Sequence, residues 1–558
     1  MATRPWQDVA KEAQAHRDAS IAKVNPPIPE VPAELPLDVT SLPRKLLTER
    51  EVDITESPTE SILASLSTGK LTSVEVTNAF LRRAGLAQKL VNCITELLPT
   101  QALERAKYLD DYYAQYGKPI GPLHGLPVSV KEHVTMKGLR VNFAYVSNWD
   151  VIGQEDAFLL KSLWNAGCVF HARTTEPQAL MHLETSSNLY GVTVNPFNTK
   201  LTCGGSSGGE GALLGLRGSC LGIGTDIGGS IRSPAANNGV YGLRPTTFRM
   251  SLVGLSASRG FEHIVPVIGP LSTSLEGVKI LMKSVIDTKP WLKDPMLLPF
   301  PWRDDVQHLG NGANKRLKVA VLWDDGVVKP HPPVIRAMKE IAGKLKNVPG
   351  VEVVDWKPYK HDLAWDIISR LYFPEGGDAD AKFIEASGEP WLPLTTFIIK
   401  DNPKVRRMTA EEIWQWAEQR EKYKAAYASV WNGTATRMSP NGDLEGMVDV
   451  ILCPVGPGAA PPHGQGKYWG YTAQWNLLDY PAAIFPVTRV DPSIDVAETD
   501  YQPLNSQDEF NHKLYDPNVY RGAPVSLQLV GRRYEDEKLL EALEFIKEKT
   551  GLPYVESK

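Results

Sequence analysis

The chain has 558 residues, 42% hydrophobic and 22% charged, with 60 lysines and arginines against 65 aspartates and glutamates for a net charge of -5. That apolar share with no long polar linker suits one large compact domain, and the acidic balance without a basic cluster gives nucleic-acid binding no support. The five cysteines are odd in number and lack a C-x-x-C pair, so they read as reduced intracellular thiols; the eleven histidines show no H-E-x-x-H or close ligand pair, so neither metal nor cofactor is expected.

In chain order, residues 1–6 lack the apolar stretch of a secretory signal, residues 7–23 show a charged helical pattern, and residues 24–47 are a proline-rich arm expected to lie extended on the main body. Residues 1–49 are therefore set apart from the body, 50–558. No membrane span or anchor is evident, and the expected location is the cytoplasm. Residues 73–85 predict an amphipathic helix with Val74, Val76, Phe80 and Leu81 as its apolar positions. Alternation at Leu126, Val128 and Val130 predicts a short half-buried strand, with Lys131 where the strand leaves the core. A lone lysine there is more often a solvated cap, and His124 and His133, which flank the strand, keep a serine–histidine arrangement open. Cys168-Val169-Phe170 reads as a further strand.

Residues 201–246 set Ser206, Ser207 and Ser230 among glycines with few bulky side chains between them. Glycine at this density lets a ligand approach main-chain N–H groups, so the serines are candidate nucleophiles and Asp226-Ile227-Gly228-Gly229-Ser230 a candidate donor loop for an oxyanion. A phosphate loop would need Lys-Ser or Lys-Thr after its last glycine, and the dinucleotide spacing fails at Gly222, Gly224 and Gly228. Gly204-Gly205-Ser206-Ser207-Gly208 matches G-x-S-x-G, but residues 195–200 are polar and turn-rich, without the buried strand that should lead into a nucleophile elbow. Ala212-Leu213-Leu214 reads as helix, Leu221-Gly222-Ile223 as strand, and residues 231–237 as a short helix whose start favours negative charge at Ser230. Further strands fall at 317–322, 351–354 and 448–452. Strands alternating with helices predict an α/β layer fold. Trp365, Trp391, Trp414, Trp416, Trp431, Trp469 and Trp475 lie in a stretch expected to shape the pocket, although tryptophans at helical spacing more often belong to the core.

The motifs Gly125-Leu126-Pro127-Val128-Ser129-Val130-Lys131, Gly204 to Ala212 (GGSSGGEGA), Gly224-Thr225-Asp226-Ile227-Gly228-Gly229-Ser230-Ile231-Arg232 and Gly242-Leu243-Arg244-Pro245-Thr246 closely resemble the amidase signature family of serine amide hydrolases. The likeness covers residues 50 to 550. Pro301-Trp302-Arg303, Lys329-Pro330-His331-Pro332-Pro333 and Ser387-Gly388-Glu389-Pro390 make it most similar to the fungal general amidases and acetamidases. The resemblance implies a single amidase-signature fold with a mixed central β-sheet flanked by helices. It implies a serine–serine–lysine triad: Ser230 the acylated nucleophile, Ser206 the bridging serine and Lys131 the terminal base. It also implies substrate binding by Ile227, Gly228, Gly229, Ser230, Ser206 and the Leu180 backbone, support from Ser207, Thr225, Asp226 and Arg232, and a cis bond before Ser206.

The triad has a physical logic of its own. A hydroxyl carries one donor and two acceptor lone pairs, so Ser206 can pass its proton to Lys131 while accepting one from Ser230. Lysine accepts a proton only when neutral, so its pKa must fall from about 10.4 toward about 7 to 8, which burial promotes. The expected substrate is a small amide, short or aromatic, because the hydrophobic N-terminal helix of membrane-anchored fatty-acid amide hydrolases is missing here; a homodimer stays open. Two alternatives are the glutamine-hydrolysing subunit of a tRNA-dependent amidotransferase, which would need partner subunits, and a silent binding protein. The Trp-rich C-terminal region argues against the first, and retention of Lys131, Ser206 and Ser230 together against the second.

Overall fold

The alternating segment ending at Lys131 is a strand buried on both faces, the second of eleven in a mixed central sheet. In the computed structural model, which describes residues 4–255, 262–304 and 316–553, these strands are β1 (Ile94–Leu97), β2 (Pro127–Lys131), β3 (Val169–Thr174), β4 (Leu221–Asp226), β5 (Tyr241–Arg244), β6 (Val267–Ser272), β7 (Leu317–Val321), β8 (Val351–Asp355), β9 (Val450–Pro454), β10 (Ala482–Arg489) and β11 (Pro524–Val530). Met1, Ala2 and Thr3, read above for the lack of an apolar leader, lie outside the described residues. The spatial order is β1-β3-β2-β4-β6-β5-β10-β11-β9-β7-β8. β2 runs parallel to β3 and β4, and β7 runs parallel to β8 and β9. The other neighbours are antiparallel. This is the mixed sheet flanked by helices that the resemblance implies.

Successive side chains of a strand face opposite sides, and the core divides accordingly. Val450 and Leu452 of β9 join one apolar cluster while Ile451 and Cys453 join a second; Val319 and Val321 of β7 likewise join the first, and Ala320 and the following Leu322 the second. The second cluster is aromatic, holding Trp356, Tyr427, Trp431, Trp469 and Trp475.

Helix α1 (Trp6–Ile21) packs on β1, where Leu97 N donates to Ser20 Oγ at 2.9 Å. The proline-rich arm lies on the body through Val39, whose N–H donates to the Pro196 carbonyl, and it folds into a short helix at Leu42–Leu46 where an extended run was expected. Helix α2 (Ser73–Val91) starts at a Thr72 cap and runs six residues past its predicted end, stopping at Asn92 with φ 56°. Among the described residues no helix is long and apolar enough to cross a membrane.

Candidate active site

β2 and β4 are parallel neighbours with Val130 opposite Ile223, so both leave the sheet in the same direction. That places Lys131, the last residue of β2, beside Thr225 and Asp226 at the end of β4. Lys131 Nζ donates to Ser206 Oγ at 2.6 Å and to Thr225 Oγ1 at 3.2 Å. Ser206 and Ser207 precede helix α3 (Gly208–Gly215), and the Gly205–Ser206 bond is cis. The chain enters this turn from a two-stranded ribbon, Val194–Asn195 with Asn198–Thr202, outside the central sheet, so no core strand leads into Ser206 as an elbow would require. Ser207 N donates to the Ser230 carbonyl at 3.1 Å and its hydroxyl pairs with Thr225 main chain at 3.3 Å, which stitches the two serine segments together. Ser230 Oγ makes no hydrogen bond among the described residues. Ser206, Ser207 and Ser230 are all buried.

The loop 227–230 joins β4 to helix α4 (Arg232–Asn237). Gly229 has φ 133°, and a Cβ there would lie 2.5 Å from Thr472 Oγ1, so no other residue fits. A Cβ on Gly228 would lie 2.7 Å from both Trp469 and the Tyr372 hydroxyl. Asp226 fastens the loop by accepting from Gly229 N at 2.8 Å, Ile231 N at 3.2 Å and Asn476 Nδ2 at 2.9 Å. Arg232 meets the same carboxylate through Nε and Nη2, both at 3.0 Å. Burial alone would push Asp226 upward, but the Arg232 charge and these donors hold it down to about 2, so it is an ionised carboxylate. The Gly229 N–H is thus directed at Asp226. Those of Ile227, Gly228 and Ser230 make no protein hydrogen bond among the described residues. From the back of the loop, the Tyr372 hydroxyl donates to the Ile227 carbonyl at 2.9 Å and Thr472 Oγ1 to that of Gly228 at 2.6 Å. Leu180 lies in a left-handed turn with φ 56°; its neighbours Ala179 and Met181 share the apolar cluster of Tyr372 and Trp469.

Lys131 is fully buried, and burial lowers its pKa to about 8 against the opposing pull of Glu176, Asp226 and Glu210. The cap reading of this lysine therefore does not hold. His124 lies before β2, accepting from Ile120 N at 3.1 Å, and His133 faces Thr225; neither bonds a serine. Of the seven tryptophans Trp469 abuts the loop at Gly228, while Trp431 and Trp475 belong to the core and Trp414 is 71% exposed. Sequence reasoning missed Glu176, Tyr372, Thr472 and Asn476. The last three reach the loop from the C-terminal half of the chain, and no local pattern marks them.

The Amidase family model matches residues 75–540. A protein of Schizosaccharomyces pombe is 47% identical over 98% of this chain and 99% of its own length. An acetamidase of Aspergillus oryzae is 39% identical, again over 98% and 99% of the two chains. Among solved structures, a fatty acid amide hydrolase superposes with a TM-score of 0.91 at 33% identity, covering 98% of this chain and 95% of that one.

Proposed function

Because the chain belongs to the amidase family and is an amide-hydrolysing enzyme, we propose that it cleaves a small dissolved amide through an acyl-serine intermediate, with Ser230 as nucleophile, Ser206 as bridge and Lys131 as base. The observation that carries this reading is the 2.6 Å contact between a fully buried Lys131 Nζ and Ser206 Oγ. A neutral lysine takes the Ser206 proton, Ser206 takes that of Ser230, and the Ser230 oxygen adds to the amide carbonyl. The oxyanion finds the N–H groups of Ile227, Gly228 and Ser230, while Gly229 keeps its own on Asp226. Collapse breaks the C–N bond, the lysine's proton returns through Ser206 to the leaving nitrogen, and water hydrolyses the ester by the same route.

A short acyl group is favoured by likeness to a relative that acts on a short amide. The A. oryzae relative is named an acetamidase. Five buried, unpaired thiols favour a reducing compartment, the cytoplasm, for this activity.

The test pairs trapping with an acyl ladder. A sulfonyl fluoride should add to Ser230 by peptide mapping, and kcat/KM for amides should fall as the acyl chain lengthens. Label on Ser206, or kcat/KM rising toward long chains, would overturn the corresponding half of the proposal.

A further inference from the structure

Lys131 has a second hydrogen-bonded side. Opposite Ser206 it donates to Thr225 Oγ1, which lies 3.3 Å from His133 Nε2, and His133 Nδ1 lies 2.6 Å from Glu176 Oε2. All four residues are at least nine-tenths buried. We propose that the His133–Glu176 pair is a positioning device for Lys131, working through the Thr225 hydroxyl to aim the amine at Ser206 and to set how readily it holds a proton. The proposal rests on the reading of Lys131 as the base.

Proton accounting fixes the direction of the chain. The Thr225 oxygen accepts from Lys131, so its single proton goes to His133 Nε2. That nitrogen must be bare, which puts the ring proton on Nδ1, donated to Glu176. Burial, then the Lys131 charge, hold the His133 pKa well below its ordinary range, so the ring is a neutral connector. A lysine held from this side has lost its freedom to swing, and a second of its three nitrogen valences faces Ser206.

The charges around the pair set its electrostatic effect. Glu132 and Glu176 are both buried carboxyls, pushed up by burial to about 8 and about 7. Arg173 faces that pair, while Glu210 and Asp226 face Lys131 from α3 and β4. Glu210 is itself pushed up to about 8 by burial, and Asp226 is committed to Arg232. Of the charges that favour protonated Lys131, Glu176 is the largest contributor.

The test is the pH profile of kcat/KM for acetamide, measured on the full chain for wild type, Glu176→Gln, Thr225→Val and Thr225→Ser. Removing the carboxylate should move the acidic limb to lower pH by about one unit. Thr225→Val should lower kcat about tenfold with KM unchanged, and Thr225→Ser, which keeps the hydroxyl, should restore it. A Glu176→Gln limb that superimposes on wild type, or a valine variant as fast as the serine one, would overturn the proposal. If Glu176→Gln does not fold, the Thr225 pair decides alone. An acidic limb that persists in an active Lys131→Ala enzyme would instead overturn the lysine base, and positioning with it.

Discussion

At the scale of the residue, the central quantity is the cost of an ammonium in the core. A fall of the Lys131 pKa from 10.5 to about 8 corresponds to about 3 kcal/mol of disfavour for the charged form. The same burial that penalises the charge makes the amine available as a base near neutrality. Its sign dictates the pH dependence: with Lys131 as the proposed base the active form is the deprotonated one, so kcat/KM should climb about tenfold per unit below pH 8 and level off above it. Lys131→Arg should lose activity by about three orders of magnitude and show no recovery at high pH, since guanidinium does not deprotonate. Stopped assays of ammonia release from pH 5 to 10 would check both. The sequence carried the position of this lysine at a strand end but not its burial. Burial arises because β3 and β4 flank β2, and because Ser206 and Thr225 arrive from 75 and 94 residues away.

The element that matters most is the β4–α4 connection. Its composition was readable because small residues are required by backbone conformation and close approach, which are local properties. What fastens it was not readable: Asp226 and Arg232 are near neighbours, but Asn476, Thr472 and Tyr372 come from helices His361–Tyr372 and Gly470–Leu478. Asp226→Asn should leave Arg232 buried beside a neutral amide, at a cost of about 3–5 kcal/mol. Urea unfolding should show this as a lower midpoint with an unchanged slope. Activity should fall as well, because the freed Gly229 and Ile231 N–H groups no longer hold the loop. A variant with the wild-type midpoint would show that the pair contributes nothing to the fold.

Across the whole molecule, the aromatic cluster on one face of the sheet divides the labour among its members. The aromatic cluster on one face includes both Trp469, against the loop, and Trp431, fully buried with its indole N–H donating to the Val448 carbonyl at 2.8 Å. Trp431→Ala should therefore cost about 3–5 kcal/mol of stability while leaving the order of preference among amides intact. Trp469→Ala should shift that order toward bulkier acyl groups. Thermal melts alongside an acyl ladder would separate the two effects, and a changed preference in the Trp431 variant would refute the division. Strands at 317–321, 351–355 and 450–454 were legible as apolar runs. β1, β5, β6, β10 and β11 were not singled out; the interleaved order in which they pair is set by contacts far apart in the chain.

The pairing of β5 with β10 spans nearly half the chain, bringing Arg244 opposite Ala482 just beyond the segment that ties down Arg232. Seen in the order of synthesis, every group of the proposed proton relay is complete once residue 230 has left the ribosome. The parts that make those groups competent, the Thr472 carbonyl under Arg232 and the Asn476 side chain on Asp226, are translated some 240 residues later. A nascent chain thus carries its reactive serines and lysine without the frame that aims them. On the proposed mechanism, activity is therefore expected only once the C-terminal half has folded against the N-terminal one.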